Sequence, residues 1–558
     1  MKKKILLPII LTAFIISGCN KTDTSVSSAQ PSSQDIPGSQ QPSSAAPSSE
    51  TPRASSQAPS SAPASSSSAK SSSAQSSSSA KSSSAQSSSS AKPSSSSQAP
   101  SSSSAQPSSS TTPSSSQAPQ YLKKDITVQL DSFFKTPEEG QTLEPYDMEF
   151  VYDDEYFLND ANEYDKGLSM LSLGATMSLA TEARGDKFYS DIAFKDVFKN
   201  DFDKEPTKDT IGYFMAHKVI GDNEVVAVSL RGYNYGLEWS NNLLFGEEGN
   251  HYGFDLRAQD VFAKLQSYIT EKTDSNKTLK LWINGYSRGG SIANVLASHI
   301  LSGDEFIIDP ANMYVYTYEA PRCLSEENAI RYENVHNIIN KADLVANVIP
   351  EQYELYRCGI DYEIYAPNAS TLMKAFDEEI DMPEFALPES SDVPATNDEE
   401  FCNYVLGTVY NCTTTTDEDK LATTRKQYFD NYQEGLSGAV SYLFALSTET
   451  RNQALADLQN MGIMAIMIIG DDTGVALANF LKTYLDQDNV PYEEEQLVSE
   501  CAVLVKGCGT VFAQLLVMFI STDDYKTPIM REISFHYPET IYVLLDNAHN
   551  TEVAVVIG

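Results

Sequence analysis

The sequence has few histidines, few tryptophans and little positive charge. Its 558 residues include six histidines and two tryptophans, and 39 lysines and arginines stand against 76 aspartates and glutamates, a formal net charge of −37. We expect no nucleic-acid partner and no binding to an anionic lipid surface, because like charges repel. Two interpretations of the acidity remain open: solubility outside a cell, or a preference for neutral or cationic substrates.

Cysteine is also scarce, and its spacing predicts no metal site. Cys19 is alone in the first 300 residues, and six more follow at Cys323, Cys358, Cys402, Cys412, Cys501 and Cys508. Neither Cys-x-x-Cys nor His-x-x-x-His occurs, so we expect no bound metal and no cofactor. The even number beyond Cys19 allows three disulfides, and we predict the local pairs Cys402–Cys412 and Cys501–Cys508.

The first residues look like an export signal. Lys2, Lys3 and Lys4 make the start of the chain basic, and residues 5–16 form an apolar stretch too short to span a bilayer. The stretch ends in Ile16-Ser17-Gly18-Cys19, which resembles a bacterial lipobox. The resemblance implies that 1–18 is a signal peptide and that a lipid on Cys19 anchors the protein to the extracellular face of the cell membrane. An ordinary signal peptide with an incidental cysteine is the alternative.

Residues 19–120 are predicted to be a disordered tether. They consist almost entirely of Ser, Ala, Pro, Gln and Thr, with an 11-residue repeat marked by Lys70, Lys81 and Lys92. Such a segment has too little apolar surface to offset the entropy lost on ordering. A flexible coil of ~100 residues reaches roughly 50–60 Å, which would suit a spacer across a cell-wall layer.

The remaining chain is organised around residues 279–301. An apolar run, 279–283, leads into Gly285-Tyr286-Ser287-Arg288-Gly289-Gly290 and then into a segment of small residues with helical spacing. This pattern predicts a strand, a sharp turn that carries Gly-x-Ser-x-Gly, and a helix. In the α/β-hydrolase architecture such a turn presents the serine oxygen at the carboxyl edge of the sheet, and its glycines allow strand and helix to pack closely.

Strand and helix patterns alternate around this motif. Continuous apolar runs predict strands at 224–231, 313–318 and 335–340, with further strand-like segments at 126–129, 149–152, 210–219 and 532–545, and helices at 159–180 and 254–269. Alternation of this kind predicts an α/β fold with a mostly parallel sheet and helices on both faces. Ligands of such folds bind beyond the carboxyl ends of the strands.

Residues 356–525 have a different pattern and are predicted to be a large, mainly helical cap insertion. No convincing strand occurs there, whereas helical spacing occurs at 427–446, 451–469, 474–485 and 494–519. The hydrolase core would then consist of 121–355 and 526–558. The apolar pieces 461–469 and 501–520 are interpreted as buried cap core, with a substrate- or lipid-facing lid surface as the alternative.

A serine nucleophile needs a histidine base and a carboxylate that orients it. On this fold they follow the serine in the order acid, then histidine. Only His536 and His549 lie far enough along the chain, and we favour His536 because its segment could pack against the sheet. For the acid, Asp343 directly follows a predicted strand, whereas Asp309 precedes one and would lie at the opposite edge.

Four motifs in order resemble the class 3 (fungal-type) lipase family of α/β-hydrolases. They are Arg231-Gly232 with Trp239 and Asn241, the Gly285–Gly290 turn, Pro321-Arg322, and Asp343-Leu344-Val345 with Pro350. The resemblance implies that Ser287 is the nucleophile, Asp343 the acid and His536 the base, with oxyanion donors at the backbone of Arg288 and near Tyr233. The chain departs from the family at Tyr286, Arg288 and Tyr233, where His, Leu and a small hydroxyl residue are usual.

The expected activity is that of a membrane-anchored extracellular serine lipase or carboxylesterase that forms an acyl-enzyme. Its partner would be an acylglycerol or another carboxylic ester. Two alternatives remain open from the sequence. One is a non-catalytic surface-binding protein on a degenerate hydrolase scaffold, and the other is the same chemistry on a feruloyl or acetyl ester of a polysaccharide or on a phospholipid.

Overall fold

A computed structural model of the protein describes residues 121–135, 143–200, 202, 210–233, 238, 241–242, 244–303, 306–349, 353–387, 393–413, 433–447, 450–451, 453–454, 457, 473–502, 523–550 and 556–557. The predicted signal peptide, the tether and Cys19 lie outside these residues, as do Trp239, Pro350 and Cys508.

The described strands and helices follow one another in an α/β order. In chain order they are β1 (Lys123–Leu130), β2 (Tyr146–Asp153), α1 (Lys166–Ser178), α2 (Glu182–Asp191), β3 (Lys195–Asn200), β4 (Tyr213–Ile220), β5 (Asn223–Leu230), α3 (Tyr252–Lys272), β6 (Thr278–Tyr286), α4 (Arg288–Ser302), β7 (Met313–Tyr318), β8 (Val335–Ile339), β9 (Ile360–Glu363), α5 (Ala369–Phe376), α6 (Asp398–Thr413), α7 (Gln433–Ala445), α8 (Thr473–Asp488), α9 (Asp523–Ser534), α10 (Pro538–Asn550) and β10 (Val556–Ile557).

Eight of these strands form one sheet in the order β10-β9-β8-β7-β6-β5-β4-β3. The five central strands, β5 to β9, are parallel, and β3, β4 and β10 add antiparallel edges. β1 and β2 pair separately as an antiparallel ribbon. The predicted fold class, an α/β-hydrolase with a mostly parallel sheet, is confirmed.

Both faces of the central strands are buried, which explains their uninterrupted apolar runs. In β5, Val225 and Ala227 belong to a cluster that includes α1 and α10. Val226 and Val228 belong to a second cluster that includes α3 and α4. The same alternation continues in β6, where Trp282 joins the first cluster and Ile283 the second. Helices therefore cover both faces, and the carboxyl ends of β6, β7 and β8 lie side by side.

The strand predicted at 532–545 is wrong, because this segment forms the end of α9 and most of α10. Its β-branched and aromatic residues have strand propensity. However, Ile541, Leu544 and Leu545 are buried at helical spacing, in the same core cluster as α1. Packing against the other helices outweighs the weak local preference for a strand.

A short strand within 356–525 escaped the sequence analysis. β9 has only four residues, Ile-Asp-Tyr-Glu, and pairs parallel to β8. α7 and α8 lie where helices were predicted, at 427–446 and 474–485, whereas α5 and α6 lie in residues 365–425, for which no helix was predicted. None of the helices within the described residues has the length and apolar character needed to cross a membrane.

The two predicted local disulfides are also wrong. Cys402 and Cys501 are buried free thiols, as are Cys323 and Cys358. Cys402 and Cys412 lie on the same helix, α6, ten residues apart. At 1.5 Å per residue this separates them by ~15 Å, whereas the Cα atoms of a disulfide lie within ~7 Å of each other.

Replacing Ile283 with alanine should lower the free energy of unfolding by about 2–5 kcal/mol, because it leaves a cavity in the middle of the sheet. Ile283 is fully buried, whereas Ile307 is 90% exposed. Ile307→Ala is therefore the matched control and should leave stability nearly unchanged. Urea unfolding of the two variants checks this, and equal losses would contradict the position given to β6.

Candidate active site

The turn between β6 and α4 holds Ser287 in an uncommon backbone conformation. Its φ is 52° and its ψ is −126°, a backbone conformation that residues other than glycine rarely adopt. The N–H of Ser287 donates to the carbonyl of Tyr318 at the end of β7, at 2.8 Å. Although Ser287 occupies the N-cap of α4, its hydroxyl makes no capping bond. The hydroxyl is therefore available to a partner outside the helix.

Glycines allow three backbone segments to meet at this turn. A Cβ on Gly285 would lie 2.2 Å from the carbonyl oxygen of Gly289, and one on Gly289 would lie 2.4 Å from that of Leu230. A Cβ on Gly232 would lie 1.7 Å from the carbonyl oxygen of Tyr286. Since these neighbours are backbone atoms that cannot swing aside, none of the three positions has room for a side chain.

The structure brings the three residues predicted as a triad into hydrogen-bond contact. The Nε2 atom of His536 lies 2.8 Å from the Oγ of Ser287, and its Nδ1 lies 2.6 Å from Oδ2 of Asp343. All three side chains are at least 97% buried. The alternative histidine, His549, lies at the end of α10 and contacts the hydroxyl of Tyr164 instead, at 2.9 Å.

Asp343 is oriented by its own backbone. It lies four residues beyond β8, and its Oδ1 accepts the N–H of Val345 at 2.8 Å, which leaves Oδ2 for His536. Two further carboxyls are buried nearby. Burial and the proximity of Asp343 raise the pKa of Glu319 well above its ordinary value. Burial and neighbouring Asp398 raise the pKa of Glu532 to about 11. Burial thus disfavours a negative charge on both of these carboxyls.

His536 lies in the short connection between α9 and α10. Pro538 is the first residue of α10, a position where proline fits, and it disfavours helical geometry at the residue before it. The N–H of His536 donates to the carbonyl of Ile533 at 3.0 Å. The hydroxyl of Tyr286 donates to the carbonyl of His536 at 2.6 Å. The residue before the serine thus holds the backbone of the histidine, a contact that sequence reasoning missed.

The two residues predicted as oxyanion donors lie on either side of this turn. Arg288 is the first residue of α4, where backbone N–H groups lack a partner within the helix. Tyr233 directly follows Gly232, whose backbone touches the carbonyl of Tyr286. Their side chains are engaged in other buried contacts: the Arg288 guanidinium with Glu238, and the Tyr233 hydroxyl as donor to the carbonyl of Met177.

An aromatic segment after β1 also reaches this region, and the sequence analysis did not find it. The ring of Phe133 lies 5.7 Å from that of Tyr233 and 5.6 Å from that of Tyr537, the neighbour of His536. Oε1 of Glu539 accepts the N–H of Phe133 at 2.6 Å and that of Phe134 at 3.3 Å. Burial raises the pKa of Glu539 to about 7. The paired phenylalanines were the one signal available from sequence.

The buried Glu539 carboxyl should make stability depend on pH. Its pKa rises from 4.5 to about 7 on folding, so the folded state binds the proton more tightly. Protonated Glu539 therefore adds to the free energy of unfolding. This stabilisation is fully present below pH ~4.5 and is lost as the pH rises through ~7, a total change of roughly 3 kcal/mol. Relative to Glu539→Gln, whose amide oxygen can still accept both N–H bonds, the wild type should therefore lose stability between these pH values.

Chemical denaturation of wild type and Glu539→Gln from pH 4 to 8 tests this. Glu155→Gln, at an exposed position, is the control and should run parallel to the wild type. Parallel curves for Glu539→Gln would contradict the predicted pH dependence.

Comparison with known proteins places the family likeness in the same part of the chain. Residues 227–353 match the sequence model of the family described as lipase (class 3). A secreted mono- and diacylglycerol lipase 1 of Fusarium solani is 32% identical over 126 residues, which are 21% of this chain and 35% of that protein. The chain thus spans about a third of the length of this curated relative.

Among solved structures, lipase II from Rhizopus niveus is 18% identical, over 35% of this chain and 81% of that one, with a TM-score of 0.28. A lipase from Rhizopus microsporus var. chinensis is 19% identical, over 36% and 74%, with a TM-score of 0.26. The segment that contains Ser287 and Asp343, residues 227–353, is similar to the class 3 lipases.

Proposed function

We propose that the protein is a serine carboxylic-ester hydrolase that works through an acyl-enzyme. The observation that carries the proposal is the continuous hydrogen-bond chain from Ser287 through His536 to Asp343, at 2.8 and 2.6 Å. A non-catalytic binding protein would have no need to keep this chain, buried and aligned, at a strained serine. The match of residues 227–353 to class 3 lipases supports the same chemistry.

In the first step the Oγ of Ser287 attacks the ester carbonyl while Nε2 of His536 removes its proton. The imidazolium that forms is stabilised by Asp343 through Nδ1–H, and the bond from Tyr286 holds the histidine backbone in place. The backbone N–H groups of Arg288 and Tyr233 would donate hydrogen bonds to the tetrahedral oxyanion. Such donors stabilise negative charge that develops only in the transition state.

The second step reverses the roles. His536 gives its proton to the leaving alcohol, which departs and leaves the acyl group on Ser287. Water then attacks the acyl carbonyl and loses a proton to Nε2. His536 returns this proton to the Oγ of Ser287 as the bond to the acyl carbon breaks and the acid is released. Every protein group that these steps need belongs to the described residues.

For the substrate, we propose an acylglycerol. The support is the likeness to the Fusarium solani relative, which is named as a mono- and diacylglycerol lipase, together with the matched segment. The rings of Phe133, Tyr233 and Tyr537 pack together next to the segment that carries His536, and an apolar surrounding suits a fatty acyl chain better than a sugar. A feruloyl or acetyl ester of a polysaccharide is the competing outcome.

We also propose that the protein acts at the outside of a bacterial membrane, anchored by a lipid on Cys19. The support is the lipobox-like sequence Ile16-Ser17-Gly18-Cys19 and the Ser-rich segment that follows it. Cys19→Ala should shift the protein from the detergent phase to the aqueous phase in Triton X-114 partition of expressing cells. Unchanged partition would argue for the alternative, an ordinary signal peptide.

Ser287→Ala should reduce hydrolysis of p-nitrophenyl esters by roughly 10⁴-fold or more, because the nucleophile is lost. Ser298→Ala is a matched control, since Ser298 is also a buried serine of α4. His536→Gln should behave like Ser287→Ala, and His549→Gln should behave like the wild type.

The ester series should run from two to sixteen carbons. A maximum at long chains supports an acylglycerol lipase, and a maximum at acetate supports the polysaccharide esterase. Undiminished turnover by Ser287→Ala would refute the assignment of the nucleophile. Absence of turnover and of fluorophosphonate labelling in the folded wild type would favour the binding protein.

A further inference from the structure

A buried ionic cluster lies beside the proposed nucleophile and has no place in the reaction steps above. Glu238 is fully buried, and each of its carboxylate oxygens accepts from a different arginine. Oε1 accepts a hydrogen bond from Nη2 of Arg231 at 2.5 Å, and Oε2 accepts one from Nη1 of Arg288 at 3.2 Å. Arg231 and Arg288 are themselves 4% and 1% exposed. We call these three residues the Glu238 cluster.

The two arginines belong to the two segments that would supply the oxyanion donors. Arg288 directly follows Ser287 and begins α4. Arg231 directly follows β5 and precedes Gly232-Tyr233. In one segment, Arg288 would supply both the backbone N–H donor and a guanidinium bound by Glu238. In the other, Tyr233 would supply the N–H donor and Arg231 the guanidinium.

The two segments also meet backbone to backbone. Gly232 touches the carbonyl of Tyr286, and Gly289 touches the carbonyl of Leu230. In such a joint, a shift of one segment by a fraction of an ångström moves the N–H donors relative to each other. Hydrogen bonds to an oxyanion need donors at ~2.7–3.1 Å, so the relative placement of the segments sets how well both can be used.

Both arginines are held on their far sides as well. Nη2 of Arg288 donates to the carbonyl of Thr210 at 3.1 Å. The guanidinium of Arg231 lies 4.6 Å from the ring centre of Phe202. Gly212 makes this placement possible, because a Cβ there would lie 2.5 Å from the Cζ of Arg231. The guanidiniums are thus fixed in position, and a carboxylate between them can act as a rigid link.

The carboxylate also keeps two like charges apart. Glu238 accepts from the guanidiniums of both Arg231 and Arg288. Without it the two positive charges would repel each other across this joint, and burial leaves such repulsion weakly screened.

We propose that Glu238 is a positioning residue of the oxyanion site, which sets the distance between the Arg288 and Tyr233 N–H donors by binding the arginine of each segment. The proposal rests on the proposed function. Glu238 itself touches no reacting atom and acts through Arg231 and Arg288. Arg288 stands where the class 3 pattern usually has leucine, and its guanidinium makes the link to Glu238 possible in this chain.

The test compares Glu238→Gln with the wild-type full chain on a short-chain p-nitrophenyl ester. Active enzyme is counted by fluorophosphonate titration, so that a loss of folded protein does not lower the measured kcat. We expect kcat to fall at least ~10-fold with KM within about twofold, since the lost interaction matters only in the transition state. A trifluoromethyl ketone, whose serine adduct bears an oxyanion, should bind more weakly by a similar factor.

Two further variants keep the test decisive if Glu238→Gln folds poorly. Glu238→Asp retains the charge but is one methylene too short to reach both arginines. Arg288→Met removes the guanidinium but keeps the backbone N–H. Each should lower kcat and inhibitor affinity, and Glu238→Gln combined with Arg288→Met should cost no more than the worse single change, because both break the same link.

Asp154→Asn is the matched control. It removes the carboxylate of another buried ion pair, with Nζ of Lys218 at 2.7 Å, and should leave kcat and inhibitor affinity unchanged. Unchanged kcat and inhibitor affinity in the Glu238 and Arg288 variants of an active wild type would overturn the positioning role alone. A wild type that neither turns over esters nor reacts with fluorophosphonate would instead overturn the proposed function.

Discussion

The close approach of three backbone segments around Ser287 is the constraint on which the rest of the site depends. β6 enters the turn, α4 leaves it, and the end of β5 presses against both, with Gly232, Gly285 and Gly289 at the contacts. No side chain fits between these segments, so the backbone of Ser287 is held at a positive φ. The cost of this strained conformation is met by the packing of a sheet that is buried on both faces.

The acid and the histidine reach this turn from different parts of the chain. Asp343 follows β8, two strands away from β6, and the parallel arrangement of the sheet brings both strand ends to one edge. His536 arrives from a connection between two helices, which no strand positions. The bond from Tyr286 to the carbonyl of His536 ties that connection directly to the turn. The histidine is thus placed by a helix pair and by Tyr286, the last residue of the sheet strand β6.

Buried polar groups surround the site more densely than a simple triad requires. Glu238 links two arginines on one side, Glu319 and Glu532 lie near Asp343 on another, and Glu539 binds the backbone of the Phe133–Phe134 segment. These carboxyls differ in what they do: Glu238 joins charged side chains, Glu319 and Glu532 have pKa values raised by burial, and Glu539 accepts the N–H groups of a loop. Because a buried polar group without a partner is costly, such groups restrict the site to one arrangement.

The sequence by itself determined the parallel sheet, the strained serine turn and the three residues that meet there, because apolar runs, glycine spacing and chain order are local or topological properties. It could not distinguish a strand from a helix at residues 532–545, since β-branched residues there fit both patterns and only packing in the core that contains α1 decides. The tertiary structure alone showed that Cys402 and Cys412 lie too far apart on one helix to pair, and that Tyr286 holds His536. Only the tertiary structure showed that Glu238 binds Arg231 and Arg288, which lie seven and fifty residues away in the chain. Such contacts depend on how distant segments pack.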